Sequence, residues 1–201
     1  MIISLDGNIG AGKTTLLEAI RLAMSEVEVV TEPVGEWTTL AADGKSLLAH
    51  FYEDKTRWAY TFQTCALLSR VRALRAAMAS TNKIIITERS VLTDRFVFAR
   101  MLRESGALND MEWALYTSLW ATLSVGMQIG GIIYLTTSVK TSAERIVKRG
   151  REGETMSLDY LTALDAAHQR YVAGAGVPVL RLDTEAPLET NLAAVRAFLK
   201  L

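Results

Sequence analysis

The chain has 201 residues, half of them apolar, with 22 basic side chains against 22 acidic ones. That length supports a core of ordinary size, and the balanced charge excludes both the basic excess of a protein that tracks nucleic-acid phosphates and an acidic disordered arm. Cys65 is the single cysteine, which excludes an intramolecular disulfide and a cysteine-rich metal site.

The longest apolar stretch, Met127 to Thr137, is broken by Gln128 and two glycines. It is too short to span a bilayer, so no membrane partner is expected. Because the first apolar run begins at residue 2, the given chain has no room for a signal or transit peptide. Cytoplasmic residence is the expectation, with mitochondrial or nuclear residence left open.

The first predicted element is the run Ile2–Leu5, which reads as a strand buried on both faces. Next comes Gly7-Asn8-Ile9-Gly10-Ala11-Gly12-Lys13-Thr14, a complete phosphate-binding P-loop, and then a helical pattern over Lys13–Met24. The glycines let successive backbone N–H groups curl around an anionic oxygen. Lys13 can reach the β- and γ-phosphates, and the Thr14 hydroxyl can ligate Mg²⁺. Strand, loop and helix together predict a nucleoside triphosphate site.

The second strand, Val27–Thr31, runs into Glu32-Pro33-Val34, and Pro33 biases Glu32 to an extended backbone. A carboxylate beside a γ-phosphate would be repelled. Its place is explained if it takes the proton of a nucleophilic hydroxyl; the alternative is a loop carboxylate in solvent. A long helical pattern over Lys55–Ser80 puts Gln63, Ala66 and Arg70 on one face, as a flat slot between an amide and a guanidinium. The third strand, Lys83–Thr87, ends at Glu88-Arg89-Ser90. Glu88 can assist Mg²⁺ opposite Thr14, and Arg89 can neutralise the passing phosphoryl group and hold the acceptor oxygen. A plain ion pair between these two neighbours is the alternative. In the helix Val91–Glu104, Asp94 and Phe98 lie four apart and add a fixed acceptor and a ring. With Gln63 and Arg70 they suit the edge and face of a nucleobase, unless Arg70 is a solvated charge and Phe98 plain core.

The helix Asp110–Gly126 contains a stretch, Met111–Val125, that is apolar on more than one face and suits either core or a subunit interface. After the fourth strand, Gly131–Thr136, the helix Val139–Arg149 breaks into Arg149-Gly150-Arg151-Glu152-Gly153-Glu154. Arg145 and Arg149 can point the same way, either as part of a lid over a triphosphate or as an ordinary basic helix end. The helix Leu158–Ala173, the strand Val177–Leu182 and the helix Leu188–Leu199 complete the chain. Strand alternating with helix predicts an α/β domain over residues 1–201, with a five-stranded parallel sheet flanked by helices and right-handed crossovers. The chemistry of such sheets lies at the carboxyl ends of the strands, which is where the P-loop, Glu32 and Glu88-Arg89 fall.

These residues match a known family. Gly7–Thr15, Thr31-Glu32-Pro33-Val34 with Trp37, Phe51-Tyr52, Trp58 to Arg72, Glu88 to Ala99, Glu144 to Glu154 and Val177 to Asp183 follow its order through nearly the whole length. In them the chain resembles the cellular and viral deoxynucleoside kinases of the deoxycytidine/deoxyguanosine kinase type. The resemblance implies a P-loop kinase fold with an arginine-rich lid at about residues 145–156, ATP as phosphate donor with Mg²⁺, a homodimer, and a role in nucleotide salvage for DNA precursors. It makes Glu32 the base for the nucleoside 5′-hydroxyl, with Arg89 on that same hydroxyl and Lys13 on the phosphates. Thr15 closes the ATP loop that begins at Gly7. Tyr52 and Glu154 would hold the 3′-hydroxyl. Gln63 would pair with the base, Phe98 and Trp37 would pack on it, and Arg70 with Asp94 would read its exocyclic groups. Phe51 stands where the family often has methionine or leucine, and would tighten the sugar end of the pocket. Arg145, Arg149 and Arg151 would be lid arginines, and Val177–Asp183 would border the donor adenine.

Base preference can be taken further. Gln63 can flip to suit several bases, whereas Asp94 accepts hydrogen bonds and favours an exocyclic amine or a guanine NH. Arg70 donates, and it fills space where the methyl of thymine would need an apolar wall. Poor matching of this pair costs on the order of 1–3 kcal/mol, so deoxycytidine or a purine deoxynucleoside is expected to be preferred over thymidine. A thymidine-accepting enzyme of broad specificity is the alternative, if Arg70 and Asp94 bind each other. A nucleoside monophosphate kinase would need arginine where Glu32 faces its acceptor. A slow nucleotide-hydrolysing switch would need a guanine-reading Asn-Lys-x-Asp segment, which the sequence lacks.

Overall fold

A computed structural model describes residues 1–150 and 156–201. Strand β1 (Ile2–Gly7) leads through the glycine loop into α1 (Lys13–Ala23), and β2 (Val27–Val30) follows. The chain then makes α2 (Val34–Thr39), a hairpin of β3 (Ala41–Ala42) and β4 (Lys45–Ser46), α3 (Leu47–Glu53) and the long helix α4 (Lys55–Met78). Strand β5 (Ile84–Glu88) runs into α5 (Val91–Thr93), a π-helical turn over Asp94–Ala99, and α6 (Arg100–Glu104). Helix α7 (Asp110–Leu123), β6 (Ile129–Thr136), α8 (Val139–Arg149), α9 (Leu158–Ala173), β7 (Val179–Asp183) and α10 (Leu188–Leu199) complete the described elements.

Five strands form one parallel sheet in the order β2-β5-β1-β6-β7. The chain leaves β1 toward one side of the sheet and returns across it to β6 on the other. The carboxyl end of β1, where the P-loop lies, is therefore the switch point at which such sheets bind ligands.

Side chains of a strand alternate between faces. Ile2, Ile85 and Ile132 accordingly join one core cluster with Leu67, Val71 and Leu74 of α4 and Leu164 of α9. Their neighbours Ile3, Ile86 and Ile133 join the other cluster, with Leu16, Leu17 and Ile20 of α1 and Val195 and Leu199 of α10. A third cluster, including Trp37, Leu48, Phe51, Phe62 and Leu102, forms around α2, α3, α4 and α6.

The predicted strands and long helices are all present, with ends shifted by a few residues. Two differences affect the site. The expected helix Val91–Glu104 is helical throughout, but with a π turn at Asp94–Ala99. Residues 33–54, where the sequence pattern predicts no element, form two short helices and a hairpin, and the helices contribute Trp37, Leu47, Leu48 and Phe51 to the third cluster. Among the described residues no helix is long and apolar enough to cross a membrane.

Candidate active site

The P-loop is clasped between its neighbours. Gly10 has φ +79, and a Cβ there would stand 2.4 Å from the Ser142 carbonyl oxygen of α8. At Gly7 a Cβ would meet the Leu135 carbonyl oxygen at 2.9 Å. Asn8 pins the loop from within: Nδ2 donates to the Leu161 carbonyl at 2.9 Å and Oδ1 accepts from the Ile9 N–H at 2.8 Å. Lys13 Nζ donates to the carbonyls of Gly7 at 3.2 Å and Asn8 at 2.9 Å, and lies 4.0 Å from Glu88. Burial first, and then the charge of Arg89, pulls Lys13 down to about 7, against Glu88, Glu32 and Asp6. Such a lysine lacks a full anionic partner, which fits a loop built for phosphate. Ala11 is fully buried beneath it, while Thr14 and Thr15 are exposed.

Glu32 is not a solvated loop carboxylate. Arg89 Nη1 donates to both its oxygens, at 2.8 and 2.7 Å, and Arg70 Nη2 donates to Oε1 at 3.0 Å. Burial opposes its ionised form, but Arg89 foremost, then Arg70 and Lys13, hold the carboxyl well below the usual range. These two arginines are what let a carboxylate persist beside a phosphate site, a reason the sequence argument did not include. The plain Glu88–Arg89 alternative fails too, because Arg89 grips Glu32 and Glu88 turns to Lys13 and Thr14. The Thr14 hydroxyl donates to Glu88 Oε2 at 3.4 Å, so two oxygen donors stand together at the phosphate end.

The π turn carries Asp94, which meets α4, and Phe98, whose ring lies against Arg89 and against His168 of α9. Gln63 Nε2 donates to the Asp94 carbonyl at 3.4 Å, Arg70 Nη1 to the Glu88 carbonyl at 2.9 Å, and Arg70 Nε lies 3.7 Å from Asp94 Oδ1. The Arg89 guanidinium sits 4.7 Å over the Phe98 ring. Opposite, Phe51 stacks on Phe62 with centroids 4.3 Å apart, and the Trp37 indole N–H donates to Ser69 Oγ at 2.9 Å. These groups, with Tyr52 and Arg149, line one cavity of about 720 Å³ that continues to Gly10, Lys13 and Thr14.

Of the arginines expected to form a lid, Arg145 donates through Nη1 to Thr184 Oγ1 at 3.2 Å, beyond the end of β7. Arg149 reaches the cavity, while Arg151 and Glu154 lie outside the described residues. Sequence reasoning missed Phe62, Asp6 and Tyr116. Asp6 is fully buried and accepts from the Thr93 hydroxyl at 2.7 Å; burial pushes its carboxyl up. The Tyr116 hydroxyl donates to Asp94 Oδ2 at 2.6 Å. An acidic residue at the end of a largely apolar strand was the one available signal for Asp6; Tyr116 carried none.

Residues 3–198 match the deoxynucleoside kinase family. The chain belongs to that family. Deoxycytidine kinase 2 of Gallus gallus is 40% identical over 193 residues, covering 85% of this chain and 73% of that protein. A probable deoxycytidine kinase of fowlpox virus is 38% identical over 189 residues, covering 90% and 77%. The mitochondrial deoxyguanosine kinase of Xenopus laevis is 32% identical over 223 residues, covering 96% and 84%. This is an ATP-dependent deoxynucleoside kinase. Its glycine loop and its aromatic, arginine-lined chamber are two ends of one cavity, so donor phosphates and an acceptor alcohol can meet without leaving it.

Proposed function

We propose that this kinase, acting as one domain over residues 1–201, transfers the ATP γ-phosphoryl group in line to the 5′-hydroxyl of a deoxynucleoside. Deoxycytidine or a purine deoxynucleoside is preferred over thymidine, and the reaction serves nucleotide salvage. The observation that carries the acceptor chemistry is the Glu32 carboxylate held by Arg89 and Arg70 within the cavity that contains Lys13. The 5′-hydroxyl enters between Glu32 and Arg89 and donates to the carboxylate. Displacing part of the arginine contact restores basicity to Glu32 as the alcohol oxygen attacks, and Arg89, Lys13 and the lid arginines Arg145, Arg149 and Arg151 offset the developing charge. Tyr52 and Glu154 hold the 3′-hydroxyl and Phe51 tightens the sugar end of the pocket, while Trp37 and Phe98 pack on the base and Gln63 pairs with it.

Thr14 and Glu88 fit a Mg²⁺ site, since this ion takes one or two protein oxygens besides phosphate and water. When bound, it neutralises charge on the β- and γ-oxygens. The outer face of α7 supports a homodimer, because Met111 and Leu115 are 77% and 50% exposed. Leu115→Glu is then expected to yield monomers by light scattering. No nucleic-acid or membrane partner is proposed, and the cytoplasm is the proposed compartment.

One observation favours the broader, thymidine-accepting reading. Arg70 already spends two of its three nitrogens on protein, donating to the Glu88 carbonyl and to Glu32, while its Nε lies 3.7 Å from Asp94 without a hydrogen bond. A competition assay with the four natural deoxynucleosides and their monophosphates decides among these readings. Phosphorylation of monophosphates alone would refute the acceptor assignment. Glu32→Gln should lower kcat by about 10²–10⁴-fold while ATP still binds, and full turnover in that variant would remove Glu32 from the mechanism.

A further inference from the structure

Tyr116 lies on α7 with no exposed surface, yet its hydroxyl reaches the cavity-lining carboxylate of Asp94 at 2.6 Å. Its ring is set by packing, stacked on Trp113 with centroids 6.0 Å apart and 21° between planes. Arg70 stands further off, with Nε 3.7 Å from the other carboxylate oxygen. In a buried setting a guanidinium and a carboxylate at that separation close to a direct, often bidentate contact unless something holds them apart. A phenol bonded to Oδ2 is such a restraint.

We propose that Tyr116 is a positioning residue for base selection: it holds Asp94 off Arg70, so that the carboxylate stays available to accept from an exocyclic amine of the base. This rests on the reading of Asp94 as a base-contacting acceptor. Without the phenol, Asp94 swings onto Arg70 or takes up a proton. Burial already pushes its carboxyl up, against Arg70 and Gln63 from α4 and Tyr116 from α7, while Glu32 from the loop after β2 adds to the rise. A protonated Asp94 presents a donor, which suits the carbonyl of thymine instead of the amine of cytosine. Both routes erode preference for amine-bearing bases.

The test compares kcat/KM for deoxycytidine and thymidine in the wild type, Tyr116→Phe, Asp94→Ala and the double variant across the neutral pH range. Tyr116→Phe should lower the deoxycytidine-to-thymidine ratio by about tenfold, the worth of a hydrogen bond to a charged group. The loss should appear mainly in KM and recover in part as pH rises and Asp94 ionises. In the Asp94→Ala background the same change should move the ratio by less than about twofold. If Asp94→Ala shifts the ratio and Tyr116→Phe does not, or if Tyr116→Phe lowers activity equally on both nucleosides, the role of Tyr116 is overturned. If Asp94→Ala itself leaves the ratio unchanged, the reading of Asp94 falls and the proposal with it. Should Tyr116→Phe not fold, 3-fluorotyrosine at position 116 keeps the shape and strengthens the donor. It should shift the pH profile of the ratio toward acid, and an unmoved profile overturns the proposal.

Discussion

Arg89 holds both oxygens of Glu32 through one nitrogen, at 2.8 and 2.7 Å, from a left-handed backbone position at φ +58. A non-glycine residue there stores on the order of 1–3 kcal/mol of strain and persists only where its surroundings over-determine it. They do so here: the Arg89 N–H donates to the Leu5 carbonyl at 3.0 Å, the Thr87 hydroxyl donates to the Arg89 carbonyl at 2.9 Å, and the guanidinium lies on Phe98. The Arg89 backbone and guanidinium are thus fixed by the fold, so that only the contact with Glu32 has to give when an alcohol enters between them.

Arg89→Lys keeps the charge but loses the planar fork and the ring contact, and an ammonium cannot reproduce either. It is expected to lower kcat by about 10²-fold or more, the scale seen when one charge-stabilising donor is removed, with ATP affinity little changed. Steady-state kinetics with titration of ATP checks this, and a variant within twofold of wild type would show that charge alone is needed.

Lys13 gives a pH signature. Burial and Arg89 bring it to about 7 in the free protein, so above neutrality it is largely uncharged. A triphosphate adds anionic charge beside it, beyond that of Glu88, and raises its pKa. Binding above pH 7 should therefore take up a proton, and ATP affinity should weaken as pH climbs. Calorimetry in buffers of different ionisation enthalpy reads the proton count, and zero uptake at pH 8 would contradict the assignment.

Two glycines with the same backbone angle should behave differently. Gly10 and Gly106 both have φ +79, but a Cβ meets the Ser142 carbonyl at 2.4 Å in the first case and nothing within 4 Å in the second. Gly106→Ala should cost only the left-handed penalty of about 1–2 kcal/mol and leave kinetics intact. Gly10→Ala must push α8 away from the loop, and should lose ATP binding as well as stability. Thermal melts with and without ATP separate the two cases.

The sheet and the P-loop were legible because each rests on local pattern: continuous Ile and Val runs, and glycines at fixed spacing before Lys13. The placing of Glu32, Arg70, Glu88 and Arg89 around one cavity was legible as position along the chain, since each follows a strand or shares a helix face. Their pairing was not. Whether Arg89 meets its neighbour Glu88 or the distant Glu32 depends on its left-handed turn, which no residue type announces. The π turn at Asp94–Ala99 was likewise hidden, because an apolar pattern does not distinguish one extra residue per turn. Tyr116 reads in sequence as one more aromatic in an apolar helix; only the approach of α7 to Asp94 gives its hydroxyl a purpose.

Arg70 serves both ends of the chamber, bonding Glu32 at 3.0 Å while lying 3.7 Å from Asp94. Arg70→Met should therefore do two things at once. Apolar volume near Asp94 should raise thymidine relative to deoxycytidine. Loss of a cation beside Glu32 should also raise that carboxyl, because Arg89 and Lys13 would then oppose burial alone. With its folded pKa moved up, Glu32 becomes protonated at a higher pH, so the acid limb of kcat/KM should shift toward neutrality for every substrate while the alkaline side stays put. A pH–rate profile on both nucleosides resolves the two effects. A changed base ratio with an unmoved acid limb would mean that Arg70 reads the base but does not tune Glu32, and a shifted limb with an unchanged ratio would mean the reverse.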